Sequence, residues 1–237
     1  MSTVILLRHG KSTANGSGIL AGRTPKVNLD ETGRGQAEAL VERLSVVPLA
    51  ELLVSPLLRC KQTVGPLAAA RSLSKLVEPR LSEVDYGDWT GRELKTLFKE
   101  PLWRVVQAHA SAAVFPGGEG LAAMQARAVA AVREHDARIT AEHGDDAVWL
   151  LCSHGDVIKS LLADALGQHL DSFQRIVVDP ASISVVRYTE TRPFVLRVND
   201  HGGDLAGIVP PKPKPKRGKS KTAASSSDAV VGGTTGK

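Results

Sequence analysis

The chain has 237 residues, 42% of them apolar but only 4% aromatic, so one core can form and Ala, Val and Leu must fill it. The basic pI of about 9.3 is local: from Val209 onward seven basic residues face Asp228 alone, and that net +6 against the chain's +5 leaves about −1 for the rest. Two cysteines exclude a disulfide scaffold, no window approaches the ~18 apolar residues of a membrane span, and the first residues lack the basic flank and long apolar run of a secretion signal.

A cytoplasmic setting is therefore expected, with Cys60 and Cys152 as small buried thiols. In chain order, Val4–Leu7 is a continuous apolar run that reads as a strand buried on both faces. After a Gly/Ser/Asn-rich loop, Asp30 or Thr32 caps a helix carrying Ala37, Leu40, Val41 and Leu44. Leu52–Val54 is a second strand, and Ser55-Pro56 offers a capping hydroxyl and a first-turn proline to a helix over Leu57–Ala70. A short strand around Val77 leads into the loop Ser82–Gly91, and helical material over Arg92–Ala110 is interrupted by Pro101.

The spacing of Leu121, Met124, Ala128 and Val132 predicts a long amphipathic helix from Glu119 to Glu142. Ala147–Cys152 is a further buried strand with a helix, Val157–Leu166, leaving it, and Ile183–Tyr188 and Phe194–Val198 are late strands. Strands alternating with helices predict an α/β three-layer sandwich with a mostly parallel central sheet. The predicted domain covers residues 1–208. Residues 209–237, Pro/Lys-rich and then Ser/Gly-rich, lack the apolar content to offset ordering entropy and are expected to be a disordered tail.

Two His-Gly pairs follow strands: Arg8-His9-Gly10 after the first, Ser153-His154-Gly155 after Ala147–Cys152. Ligands in open α/β sheets bind beyond the carboxyl ends of strands, so both imidazoles face one crevice if their strands are parallel neighbours. Arg59 and Glu83 each follow a strand closely enough to reach the same edge. Two arginines, two histidines and a carboxyl suit phosphoryl transfer, in which guanidinium forks match phosphate oxygens and fixed charge stabilises the group in flight. Like charge from Arg8 and Arg59 should keep His9 neutral and nucleophilic. His154 can donate a hydrogen bond to the anion, and Glu83 can protonate the leaving oxygen and then activate water. Asp85, in the same loop, is the rival acid.

The segment Arg8-His9-Gly10-Lys11-Ser12-Thr13-Ala14-Asn15 resembles the signature of the histidine phosphatase superfamily, or phosphoglycerate-mutase-like family. The resemblance continues through Leu29–Ala37, Ser55–Thr63, Leu81–Gly91, Pro116-Gly117-Gly118-Glu119 and Cys152–Gly155. It implies His9 as a phosphorylated nucleophile and Glu83 as proton donor. Arg8, Arg59, His154, Asn15 and the Gly155 amide would form the phosphate pocket, with Ala21, Gly22 and Asp156 where family members touch substrate. Asn15 has an alternative as a simple turn or cap residue.

Lys11 stands where many family members carry glutamate, and the short segment between Gly91 and Pro116 lacks the insertion and paired arginines of the mutases. A phosphatase acting on small phosphorylated substrates is thus expected, with a phosphomutase as the alternative. Asp156 is expected to disfavour a second anionic group on the substrate. No metal and no cofactor are expected, because flanking arginines repel cations and no ligand spacing appears. A third reading is a non-catalytic anion-binding protein whose basic tail draws nucleic acid by charge alone. Trp89 and Trp103 are candidates for lining the pocket, with core packing the better reading for Trp103, and a homo-oligomer is compatible with the sequence.

Overall fold

The computed structural model describes residues 2–203. The expected tail at 209–237, and the domain boundary at 208, lie outside the described residues. Six strands form one sheet: β1 (Thr3–Arg8), β2 (Leu49–Val54), β3 (Lys75–Val77), β4 (Val148–Ser153), β5 (Ile183–Arg187) and β6 (Phe194–Asp200), in the order β3-β2-β4-β1-β5-β6. The pairs β1–β4, β2–β4 and β2–β3 are parallel, and β5 is antiparallel to both β1 and β6. This is the mostly parallel α/β arrangement expected.

The central strands read as unbroken apolar runs because both sheet faces are covered. Side chains alternate across a strand, so each run feeds two cores. Ile5, Leu7, Leu52, Val54, Leu150 and Cys152 join Leu40, Leu44, Val64 and Leu67, which come from α2 (Glu31–Arg43) and α3 (Leu58–Ala70). Val4, Leu6, Leu53, Trp149 and Leu151 instead meet Met124, Ala128, Val132, Val157 and Ile158. Those come from α6 (Leu121–His143) and α7 (Gly155–Ala165). The remaining helices are short: α1 (Thr13–Ser17), α4 (Leu94–Leu97) and α5 (Pro101–Ala108), the last two separated at Pro101 as expected.

One helix start decides between the two expected caps, and two others differ from expectation. Asp30, not Thr32, caps α2, its Oδ1 accepting from the Gly33 amide at 2.8 Å. A Cβ on Gly33 would overlap the Lys11 carbonyl, so glycine lets the first turn of α2 lie directly under the loop after His9. Ser55, by contrast, does not cap α3: that helix starts at Leu58 with Leu57 as a cap lacking any side-chain bond. The Ser55 hydroxyl turns to His154 instead, at 2.8 Å from Nε2. Glu119 likewise stays outside α6, whose cap is Gly120.

Trp89 is buried core, stacked on Trp103 with centroids 6.2 Å apart and set edge-on to Phe115. The expectation that Trp89 lines a pocket is therefore corrected: its ring fills space between the segment 92–115 and the main core. Both cysteines are free and buried. Among the described residues, no helix is long and apolar enough to cross a membrane.

Candidate active site

Parallel pairing of β1 with β4 sets Arg8 opposite Ser153, so the residues that follow, His9 and His154, emerge side by side. Their rings lie 5.2 Å apart, and the His9 amide donates to the Ser153 carbonyl at 3.0 Å. The loop before β5 clamps this turn from the other side: the Ala181 amide reaches the Arg8 and His9 carbonyls, and Arg8 Nη1 donates to the Val178 carbonyl at 2.7 Å.

Hydrogen bonding settles the state of each imidazole. Nδ1 of His9 lies 2.7 Å from the Gly10 carbonyl, which can only accept, so the proton is on Nδ1 and Nε2 keeps its lone pair. Arg59 Nε donates to that Nε2 at 3.2 Å. Arg59 Nη2 reaches both the Gly22 carbonyl (2.9 Å) and His154 Nδ1 (3.1 Å), which makes His154 Nδ1 an acceptor and leaves its Nε2–H for Ser55. In this arrangement His154 has no N–H to offer an anion, contrary to expectation. It gains one only if Arg59 leaves Nδ1 and the proton moves.

Burial is the leading cause that holds both histidines well below the usual imidazole range. The positive charges of Arg59 and Arg8 add to it at both His9 and His154. Like charge, the reason anticipated for His9, ranks second. The Arg8 guanidinium is itself lowered by burial against the opposing pull of Glu83, Asp179 and Asp156. Arg59 Nη1 is buried without a hydrogen-bond acceptor among the described residues. An orphaned buried donor costs about 1–3 kcal/mol, which an anionic oxygen would recover.

Glu83 is buried, its Oε1 accepting from the Val84 amide at 3.0 Å, and its carboxyl is pushed up to about 7. Desolvation is the main cause and the charge of Asp156 the next; Arg59 and Arg8 oppose both. The rival Asp85 points outward: its side chain is 43% exposed, 3.6 Å from Arg23, and accepts from the Gly87 amide. Asp156 is fully buried, accepts from the Tyr86 hydroxyl at 2.7 Å and sits 3.9 Å from the buried Lys159 ammonium. Its charge acts on Glu83 and Arg8, two groups of the same site.

The other expected residues divide. Gly22 belongs to the pocket through its carbonyl, and only glycine fits there: its φ is +49°, and a Cβ would press on the Tyr86 ring and Thr90. Gly155 opens α7, whose amino-terminal turn carries the partial positive charge that favours anions. Asn15 closes a capping box with Ser12, its Oδ1 taking the Ser12 amide and hydroxyl, so the cap alternative describes its oxygen. The Ala21 carbonyl is used in a turn to the Thr24 amide. Ser55 and Tyr86 were not singled out by sequence reasoning. Ser55 had an adequate explanation as a cap, and no local pattern links Tyr86 to Asp156, 70 positions away. Among the described residues, one group has metal-ligand spacing, Glu51, Glu142 and His143; it lies at the amino-terminal end of β2, and Glu51 is already paired with Arg138.

Comparison with known proteins agrees with this geometry. The family described as the histidine phosphatase superfamily, branch 1, matches residues 4–201. Phosphoserine phosphatase 1 of Hydrogenobacter thermophilus is 31% identical over 202 residues, covering 84% of this chain and 92% of that protein. The protein named "Probable phosphoglycerate mutase GpmB" of Yersinia enterocolitica is 29% identical over 215 residues, covering 89% and 97%. Among solved structures, a mycobacterial glucosyl-3-phosphoglycerate phosphatase in complex with VO3 superposes with a TM-score of 0.75 at 26% identity, covering 83% of this chain and 98% of that one. The alpha-ribazole phosphatase of Shigella flexneri gives 0.71 at 26% identity, covering 84% and 96%. With the match running from the first strand to the last and two histidines emerging together from parallel strands, the chain belongs to the histidine phosphatase superfamily, branch 1.

Proposed function

We propose that the chain hydrolyses small phosphomonoesters through a phosphohistidine on His9, with Glu83 as the proton donor. The observation that carries this reading is the protonation state of His9: the Nδ1–H bond to the Gly10 carbonyl leaves a neutral ring with its Nε2 lone pair in the pocket beside Arg59. The substrate phosphate takes over the Arg59 donors, including Nη1, and thereby uncovers Nε2. Nε2 attacks phosphorus, the phosphorus–oxygen ester bond breaks, and its electron pair leaves with the oxygen. Glu83, held near pH 7 in partly protonated form, supplies the proton that makes this an alcohol. The resulting carboxylate accepts a proton from water as that water attacks phosphorus. The P–N bond then breaks, Nε2 regains its pair, and inorganic phosphate leaves.

Relatives named as phosphoserine, alpha-ribazole and glucosyl-3-phosphoglycerate phosphatases support small monoesters as the substrate class. The GpmB relative favours a second reading, a phosphomutase. The shortness of the segment 92–115, which holds only α4, α5 and a single 3-10 turn, speaks against it, since a mutase must retain its intermediate and exclude water. The test is to quench enzyme during turnover of a phosphomonoester and look for phosphate on protein that is acid-labile and alkali-stable. It should be present in the wild type and absent in His9→Ala. Its absence from the wild type, or hydrolysis undiminished in H9A, overturns the proposal.

A further inference from the structure

The acid loop is held by a charged brace outside the pocket. Glu119 Oε1 accepts from Arg23 Nη2 (2.8 Å), Arg127 Nη2 (2.6 Å) and the Asp85 amide (2.9 Å), while Oε2 accepts from Arg127 Nε (3.0 Å). The two guanidinium groups then converge on one backbone atom, the carbonyl of Glu83, from Arg23 Nε at 2.9 Å and Arg127 Nη2 at 3.2 Å. Arg127 Nη1 also donates to the Arg80 carbonyl. Arg127 comes from α6 and Arg23 from the loop bearing Gly22, so two separate elements meet on the residue that carries the carboxyl, while Glu119, from the Pro-Gly-Gly-Glu turn, ties both arginines to the Asp85 amide two positions on.

The glycines of that turn explain how Glu119 gets there. A Cβ on Gly118 would overlap the Asp85 carbonyl, and one on Gly87 would overlap the Pro116 carbonyl. The two backbones touch, joined by Asp88 N to the Pro116 carbonyl and Glu119 N to the Asp85 carbonyl, each at 2.9 Å. This contact delivers Glu119 beneath the acid loop and keeps it out of α6.

From this geometry we infer that Glu119, with Arg127 and Arg23, is a positioning unit that aims the Glu83 carboxyl at the leaving oxygen and ties the Gly22 loop to the acid loop. The inference rests on Glu83 being the proton donor. Four charge-assisted bonds on one carboxylate, with two more on the Glu83 carbonyl, restrict the backbone from which that carboxyl hangs. None of the three side chains needs to touch substrate. Loss of the brace should therefore cost proton donation and spare phosphate binding and attack by His9.

Leaving-group dependence separates this from a merely structural role. An alkyl phosphomonoester needs a proton on its departing oxygen, whereas p-nitrophenyl phosphate releases a stable phenolate. In Glu119→Gln and Arg23→Ala, kcat/KM on the alkyl ester, which reports phosphoenzyme formation and not the later attack of water, should fall on the order of tenfold to a hundredfold. The fall in kcat/KM on p-nitrophenyl phosphate should be only a few-fold. Arg23 is 39% exposed, so R23A keeps the test informative where E119Q folds poorly. Equal losses on both substrates, or none on either, overturn the inference. Glu83→Gln run alongside distinguishes the two levels: if it also shows no leaving-group preference, the acid assignment itself fails and the brace with it. If it shows that preference and the brace variants do not, only the brace fails.

Discussion

Two glutamates five positions apart show how one residue type serves opposite ends. Glu78 and Glu83 are both largely buried, yet the first is held down to about 2 and the second raised to about 7. Glu78 meets opposite charge: Arg80 binds it with two nitrogens, at 3.0 and 2.7 Å, and His135 Nε2 lies 2.8 Å away. Arg80 continues to Glu134, and farther along α6 Arg138 joins Glu51 to Glu142. Glu83 meets desolvation and the like charge of Asp156, and its one local donor is the Val84 amide. Pairing spends charge on the fold, whereas leaving a carboxyl without a cationic partner in contact makes it available for proton transfer.

The comparison can be broken most severely at the nucleophile. His9→Ala should lower hydrolysis on the order of 10⁴-fold or more, since the remaining charges cannot replace a covalent step; a steady-state assay with the trapping experiment checks it. Glu83→Gln should cost roughly 10²- to 10³-fold on alkyl esters. Because Glu83 must be protonated to act, kcat/KM of the wild type should fall as pH rises through about 7. His9, held well below its usual range, should stay neutral and add no acid limb near pH 6. A pH profile of the wild type and E83Q, the latter lacking the alkaline fall, decides this.

Glu78→Gln should do the reverse, leaving kcat intact while lowering stability by roughly 2–3 kcal/mol at pH 7. A carboxylate depressed from 4.5 stabilises the fold fully above that pH, and the contribution fades as pH drops toward 2. Denaturant melts of wild type and E78Q should therefore converge under strong acid. The smallest effect is expected from deleting residues 209–237: turnover should not change, and any salt-dependent RNA retention should vanish with the seven basic residues.

Several features were legible from spacing alone. Unbroken apolar runs marked strands covered on both faces, and Leu121, Met124, Ala128 and Val132 marked the buried stripe of α6. The strand-end positions of His9 and His154 placed both at one sheet edge once β1 and β4 proved adjacent. Ser55 was misread because a serine before Pro56 and a helix satisfies every local rule for a cap, while its partner, His154, lies 99 positions on. Glu119 was assigned to a helix for the same kind of reason; helical periodicity cannot register a carboxylate captured by Arg23 and Arg127.

The sequence by itself determined the alternation of strand and helix, the two-sided burial of the sheet and the chemical types gathered at its carboxyl edge, because hydrophobic period and residue type are properties of neighbours along the chain. Only the tertiary structure decided which nitrogen of His9 carries the proton, which acid is buried and which exposed, and that Asp156 presses on Glu83 instead of facing solvent. Those outcomes depend on desolvation and on distances between residues remote in sequence. Both come into being only when the chain has closed around them.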